Sequence, residues 1–242
     1  MKGFSVEKGP LYIDIVTLFP NFFKSPLQES IIKIAQKKKA VAITVHNVRD
    51  YTVDLHRTCD DKPFGGGPGM IMKPEPIFKC VEMVRRKRKK SCVIYLTPQG
   101  ERLSQKKLKK LSQSNGFILL CGHYEGVDQR VRDYLVDEEL SIGDFVLTGG
   151  ETPALCLIDG IVRLIPGVLG NNESLKRESF QNNCLDHPHY TRPRTFRTYA
   201  VPEVLVSGNH RAVEMWRQQQ SLLNTKTKRK DLLVNKSRKK GH

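Results

Sequence analysis

The chain has 242 residues, 38% of them hydrophobic, with a formal net charge of +16 and an isoelectric point near 9.7. That length supports one large domain, or a medium and a small one, around a sizeable core. The basic surplus exceeds what solubility needs and points to a polyanionic partner, nucleic acid or an anionic membrane surface, with a generally basic soluble protein as the alternative. No apolar run approaches the roughly 18 residues of a membrane span. The opening MKGFSVEKGP lacks the apolar stretch of an export signal. Six cysteines are scattered without a CxxC pair, several inside apolar runs such as SCVIYL and FILLCG. Reduced, buried thiols and no export signal lead to the expectation of a cytoplasmic protein.

In chain order, LYIDIVTLF (11–19) reads as a buried strand. Ser25-Pro26 then opens a helix with Leu27, Ile31, Ile34 and Ala35 on one face. VAITVHNV (41–48) is β-branched and strand-like, and a glycine-rich loop, DDKPFGGGPGM (60–70), follows. PIFKCVEMVRRKRKK (76–90) is helical in pattern, CVIYLT (92–97) extended, SQKKLKKLSQ helical and GFILLCG (116–122) extended. A short helix around 127–134, a strand DFVLT (144–148) and a helix from Glu151 to about Ile165 complete the alternation. Strands apolar on both faces, alternating with helices, mean a parallel sheet covered on both sides: an α/β fold. After Pro166 the pattern changes. LGNNESLKRESFQNNC (169–184) is polar, with four asparagines and no hydrophobic period, and reads as a linker. The expected domains are therefore 1–168, a linker at 169–184, and a small helical domain at 185–242 whose strongest helix is HRAVEMWRQQQSLL and whose tail is heavily basic.

The glycine-rich loop fails as a nucleotide motif. A Walker loop needs Lys and Ser or Thr after its last glycine, and Gly69 is followed by Met70 and Ile71. A dinucleotide fingerprint belongs in the first strand-to-helix turn, which here is TLFPNFF. The loop is either an ordinary turn or a backbone lying close to another surface. Three other stretches, TPQG (97–100), CGHYEG (121–126) and SIGDFVLTGG (141–150), fall where strands should end. Ligands of open parallel sheets bind outside the carboxyl ends of the strands. Three such loops, free of lysine, suit a small ligand with an adenine edge and hydroxyls better than a triphosphate.

These residues carry a resemblance. VIYLTPQG, GHYEGVDQRV, SIGDFVLTGGETPA, LIDGIVRLIPGVLG and LDHPHYTRP, with HRTCDDKPFGGGPGM before them and HRAVEMWRQQQSLLNT after, resemble in order the motifs of the bacterial tRNA (guanine-N1)-methyltransferase family, over nearly the whole chain. The resemblance implies methyl transfer from S-adenosylmethionine to N1 of the guanosine immediately 3′ of the anticodon, position 37. The alternatives are a knotted methyltransferase acting on another RNA, or a catalytically weakened RNA-binding homologue. It also implies a C-terminal trefoil knot in the α/β domain, which no periodicity reveals, and a homodimer with active sites shared between chains. Leu96, Thr97, Pro98, Gly122, Glu125, Ile142, Gly143, Asp144, Phe145, Val146, Leu147, Gly149 and Gly150 fall on the family's cofactor-contacting positions. Arg163 stands at the arginine that serves guanine O6. Glu178, in Arg177-Glu178-Ser179-Phe180, stands where the family carries its general-base aspartate. Asp186, His189, Tyr190 and Arg192 look like its surface for the target nucleotide, and His123 is given no role. The resemblance further implies magnesium, for which no carboxylate cluster is evident. Cys184, His187 and His189 cluster without a fourth ligand, so no metal site is expected.

Overall fold

The computed structural model describes residues 9–89, 91–170 and 178–234. The chain divides into two compact units, Met1–Gly170 and Asn171–His242. The first is built on a five-stranded sheet of β1 (Leu11–Thr17), β2 (Val41–Asn47), β5 (Cys92–Arg102), β6 (Gly116–Cys121) and β7 (Glu138–Ser141), in the order β2-β1-β6-β5-β7 with every neighbour parallel. A small antiparallel pair, β3 (Asp60–Asp61) and β4 (Ile71–Met72), brackets the glycine-rich loop.

Period-two alternation divides the core into two layers. Phe117, Leu119 and Cys121 of β6 face α1 (Ser30–Lys37), α3 (Gln105–Ser112) and α5 (Glu151–Val162). Ile118 and Leu120 face α2 (Pro74–Lys87) and α4 (Gln129–Tyr134). Both layers are fully buried, which is why these strands are apolar on both faces. The helices start where local chemistry allows it. Pro74 supplies the fixed φ of a first turn for α2, the Ser104 hydroxyl accepts from the Lys107 N–H to cap α3, and Asp128 accepts from the Arg130 N–H to cap α4. Among the described residues no helix is long and apolar enough to cross a membrane.

Several boundaries differ from the sequence expectation. DFVLT is not a strand: the fifth strand is Glu138–Ser141, and 142–150 is a loop leaving Phe145 and Val146 53% and 84% exposed. The apolar run had suggested pairing, but the chain has already left the sheet edge at Ser141. It crosses toward β6, where the Gly150 N–H donates to the Gly122 carbonyl at 2.8 Å. The Ser25-Pro26 signal opens a short 3-10 turn, Pro26–Gln28, and α1 begins only at Ser30. The buried face of α1 is Ile32 and Ala35, while Ile34 is exposed. The helix from Glu151 stops at Val162, short of Ile165.

Among its described residues the second unit has a two-residue hairpin, β8 (Thr195–Phe196) with β9 (Tyr199–Ala200), and the α-helices α6 (Glu203–Val206), α7 (His210–Lys228) and α8 (Asp231–Val234). Asn209 caps α7 by accepting from the Ala212 N–H. The stretch after Cys184 is stapled to α7 by polar bonds. The Leu185 N–H donates to the Thr225 hydroxyl (2.9 Å), the Ser221 hydroxyl to the Leu185 carbonyl (2.6 Å) and the Asn224 amide to the Asp186 carbonyl (3.0 Å). Of the expected linker, 171–177 lie outside the described residues.

Candidate active site

Three loops at the carboxyl ends of parallel strands enclose a cleft of about 270 Å³. The first is a bulge within β5: Leu96 and Glu101 both register with Leu140, so 97–100 are pushed out of the β5–β7 ladder. The second, 122–126, leaves β6, and the third, 142–150, leaves β7. Backbone bonds fix them to one another and to the glycine-rich loop. The Glu125 N–H donates to the Met70 carbonyl (3.0 Å), and the Met72 N–H donates to the Gly126 carbonyl (3.0 Å). The glycine-rich loop is thus a close-approach surface. A Cβ at Gly69, whose φ is +85°, would lie 2.6 Å from the Glu125 side chain.

The cleft gathers twelve of the thirteen residues expected at the cofactor: Leu96, Thr97, Pro98, Gly122, Glu125, Ile142, Gly143, Phe145, Val146, Leu147, Gly149 and Gly150. Asp144 is not among them. Its carboxylate turns outward to pair with Arg102, both side chains being largely exposed. Backbone lies bare where the glycines sit: a Cβ at Gly122 would meet the Tyr95 hydroxyl at 2.8 Å, and one at Gly150 the Cys121 Cα at 2.7 Å. The wall offers amide and carbonyl edges rather than side chains.

The lining has little net charge. Arg132 is neutralised by a two-pronged pair with Glu139 (2.7 and 2.9 Å), whose hydrogen bonds raise the guanidinium's pKa further. Glu125 stands exposed at the rim, and burial raises the Tyr95 phenol so that it stays protonated. Tyr95, His123 and Arg132 line the cleft without having been expected there. A tyrosine within the apolar VIYL run, which needs a partner for its hydroxyl, was the available signal for Tyr95. Arg132 and His123 gave none.

Arg163 lies elsewhere. It follows the last residue of α5, its N–H directed to the Asp159 carbonyl, whereas the cleft touches the first turn of that helix. Twelve residues at about 1.5 Å each separate the two ends by roughly 18 Å, beyond the reach of one arginine side chain.

The remaining expected residues belong to the second unit. Glu178 and Asp186 line one hollow of about 300 Å³, with His187 and Arg217. Asp186 receives the His189 Nε2 at 2.9 Å and lies 2.7 Å from the His187 Nδ1. Burial works to raise the Asp186 pKa, but the bonds from His189 and the His187 N–H outweigh it and hold the carboxyl below its usual range. Burial lowers the His187 pKa, against the pull of Asp186. The ring of Tyr190 lies 6.3 Å from that of Trp216, and Arg192 is exposed. Ligand atoms of Asp186, His187 and His189 lie within 4.8 Å of one another; Cys184 is not part of that group.

The chain is similar to known proteins over nearly its whole length. The sequence model of the family described as tRNA (Guanine-1)-methyltransferase TrmD matches residues 11–235. The chain is 54% identical over 221 residues to a protein of Carboxydothermus hydrogenoformans named tRNA (guanine-N(1)-)-methyltransferase, covering 91% of this chain and 87% of that one. Proteins of the same name from Dictyoglomus turgidum (53% over 223 residues, 92% and 90% covered) and Anoxybacillus flavithermus (52% over 222 residues, 91% of each) are similar to the same extent. On this likeness, which runs through both units, the chain belongs to the tRNA (Guanine-1)-methyltransferase TrmD family.

Proposed function

We propose that this protein transfers a methyl group from S-adenosylmethionine to N1 of the guanosine at position 37 of tRNA, immediately 3′ of the anticodon. One observation carries the reading: the family match runs from β1 through α8 and includes all three loops that close the cleft. The cleft fits S-adenosylmethionine. Glycine-lined backbone suits an adenine edge, and the Glu125 carboxylate suits the positive end of the molecule. When bound there, S-adenosylmethionine supplies an electrophilic methyl group on a sulfonium.

The residues divide the remaining work. Guanine N1 carries a proton and is a poor nucleophile until that proton is removed. Glu178 is the carboxylate that takes it, one methylene longer than the family's aspartate. Arg163 donates to O6, where negative charge develops as N1 loses its proton. The separation of Arg163 from the cleft of its own chain supports a homodimer in which the arginine serves the partner's cleft. Asp186, His189, Tyr190 and Arg192 position the target nucleotide, and the basic residues of 211–240 hold phosphates. The passage of 142–150 back against Gly122, between β7 and α5, supports a trefoil knot there. Residues 1–168 act as the catalytic domain, 169–184 as a linker and 185–242 as the RNA-binding domain of a cytoplasmic enzyme.

Magnesium does not fit the described residues. A hard cation prefers several oxygen ligands, and the Asp186 cluster offers two imidazoles around one carboxylate they already engage. No step passes through magnesium.

The test is to treat unmodified tRNA with the protein and labelled S-adenosylmethionine and to map the modified base. The expected product is 1-methylguanosine at position 37. A methyl group on another base or on a ribose would overturn the reading, and so would no incorporation by a folded protein that binds both ligands.

A further inference from the structure

Asp186, His187 and His189 bring a carboxylate and two imidazoles together in the second unit, with ligand atoms all within 4.8 Å of one another. The His187 Nδ1 lies 2.7 Å from the Asp186 Oδ1, and the His189 Nε2 lies 2.9 Å from the Oδ2, so both rings turn a nitrogen toward one carboxylate. The order Asp-His-Pro-His accounts for this. Pro188 removes one free dihedral between the two histidines, whose rings stand 4.4 Å apart. The backbone beneath is fixed: the Asp186 N–H donates to the Ser179 hydroxyl, and the Asp186 carbonyl accepts from the Asn224 amide, both at 3.0 Å. Side-chain exposure rises from 10% at His187 through 26% at Asp186 to 70% at His189, so the group is seated on one side and open to solution on the other. Arg217 lines the same hollow, its charge countered by Glu214 at 3.9 Å.

We infer that these three residues form a zinc site, and that zinc held there excludes the target nucleotide; the second clause rests on the methyltransferase reading above. Two imidazoles and one carboxylate suit a borderline ion such as zinc, whereas magnesium favours oxygen alone. Zinc takes nitrogen and oxygen at about 2.0–2.2 Å in a tetrahedron, which sets its ligands about 3.4 Å apart. The two carboxylate–imidazole pairs therefore open by roughly 0.5–0.7 Å, a shift that side-chain rotation supplies. Three protein ligands leave the fourth position to water. Cys184 is not among them, so the set differs from the cysteine and two histidines that the sequence brought to notice. Asp186 and His189 cannot hold zinc and the nucleotide together. The ion is thus a brake on methyl transfer rather than its cofactor.

The experiment titrates the full chain, free of any histidine tag, with Co²⁺ as a coloured substitute for zinc, and then displaces it with Zn²⁺. The expected result is one ion per chain, the intense visible bands of tetrahedral cobalt, and no thiolate band in the near ultraviolet. Asp186→Asn, His187→Gln and His189→Gln should each weaken binding by at least about a hundredfold, beyond the cost of losing an outer-shell partner. His189 is so exposed that its variant tests the site without disturbing the fold. Stoichiometric zinc should lower wild-type methyl transfer in step with occupancy, while S-adenosylmethionine affinity stays unchanged. Binding that survives both His187→Gln and His189→Gln would overturn the site. So would a thiolate band that disappears together with binding in Cys184→Ser. Zinc that fills the site without slowing methyl transfer would overturn the exclusion alone. Wild type that methylates no tRNA, yet binds cobalt through these residues, removes the functional reading and the exclusion with it and leaves the site standing.

Discussion

In Met1–Gly170 the strands send alternate side chains into two apolar layers, and residues such as Ile13, Leu119 and Ile158 are wholly inaccessible. Among the described residues of Asn171–His242 no hydrophobic side chain reaches that burial, and Thr225 is the one fully buried residue. The first unit is held by burial, worth about 1.5–3 kcal/mol for each fully covered large aliphatic side chain. The second is held by hydrogen bonds between 184–187 and α7, each worth about 0.5–1.5 kcal/mol net. A sheet-backed cleft is complete before any ligand arrives.

The largest effect that separates the two units belongs to Glu178. Glu178→Gln cannot accept the N1 proton and should lower the single-turnover rate by roughly 10²–10⁴-fold. S-adenosylmethionine affinity, set by the first unit, should not move. Glu178→Asp should keep substantial activity, and Asp186→Asn should cost less than Glu178→Gln. Full activity in Glu178→Gln with a dead Asp186→Asn would transfer the role to Asp186.

Arg163→Ala should cost about a hundredfold or more in kcat, the scale of losing one oxyanion donor, with calorimetry showing intact cofactor binding. An effect confined to KM would limit Arg163 to holding its end of α5.

Salt should divide the units next. Raising it from about 50 to 200 mM should weaken tRNA binding more than tenfold through counterion release, and leave binding to the little-charged cleft nearly unchanged. Parallel losses would place the basic docking face at the cleft itself.

The smallest effect is structural. Thr225→Val leaves the Leu185 N–H without its acceptor and should cost the second unit about 1–3 kcal/mol. Hydrogen exchange should quicken in α7 and leave β1, β5 and β6 as protected as before. Equal loosening of the sheet would deny that the units are stabilised separately.

The sequence made the first unit readable because its physics is periodic. Continuous apolar runs marked β1, β5 and β6, and the loops after those strands pointed to the cleft. DFVLT misled because a run suited to a strand was spent on crossing the strand ends, where bonds from Gly150 to Gly122 replace a ladder. The place of Asp144, turned to Arg102, depends on a bond between residues 42 apart and left no local signal. The roles proposed for Arg163 and Glu178, and the proposed knot, rest on resemblance, since no spacing rule ties the end of a helix to a cleft. The stapling of Leu185 to Thr225, forty residues on, was equally invisible to periodicity.

One mixing experiment tests the central claim, that each active site combines the cleft of one chain with Arg163 of the other. Gly122→Ala should abolish cofactor binding, because its Cβ would meet the Tyr95 hydroxyl at 2.8 Å, and Arg163→Ala should cut catalysis by about a hundredfold or more while its cleft stays intact. Each variant is nearly inactive alone. After subunit exchange half the dimers are mixed, and each mixed dimer holds one site with an intact cleft and an intact arginine. Methyl transfer should therefore return to about a quarter of the wild-type rate. A mixture that forms mixed dimers by sedimentation and native mass measurement, yet stays as inactive as its parents, would contradict the account.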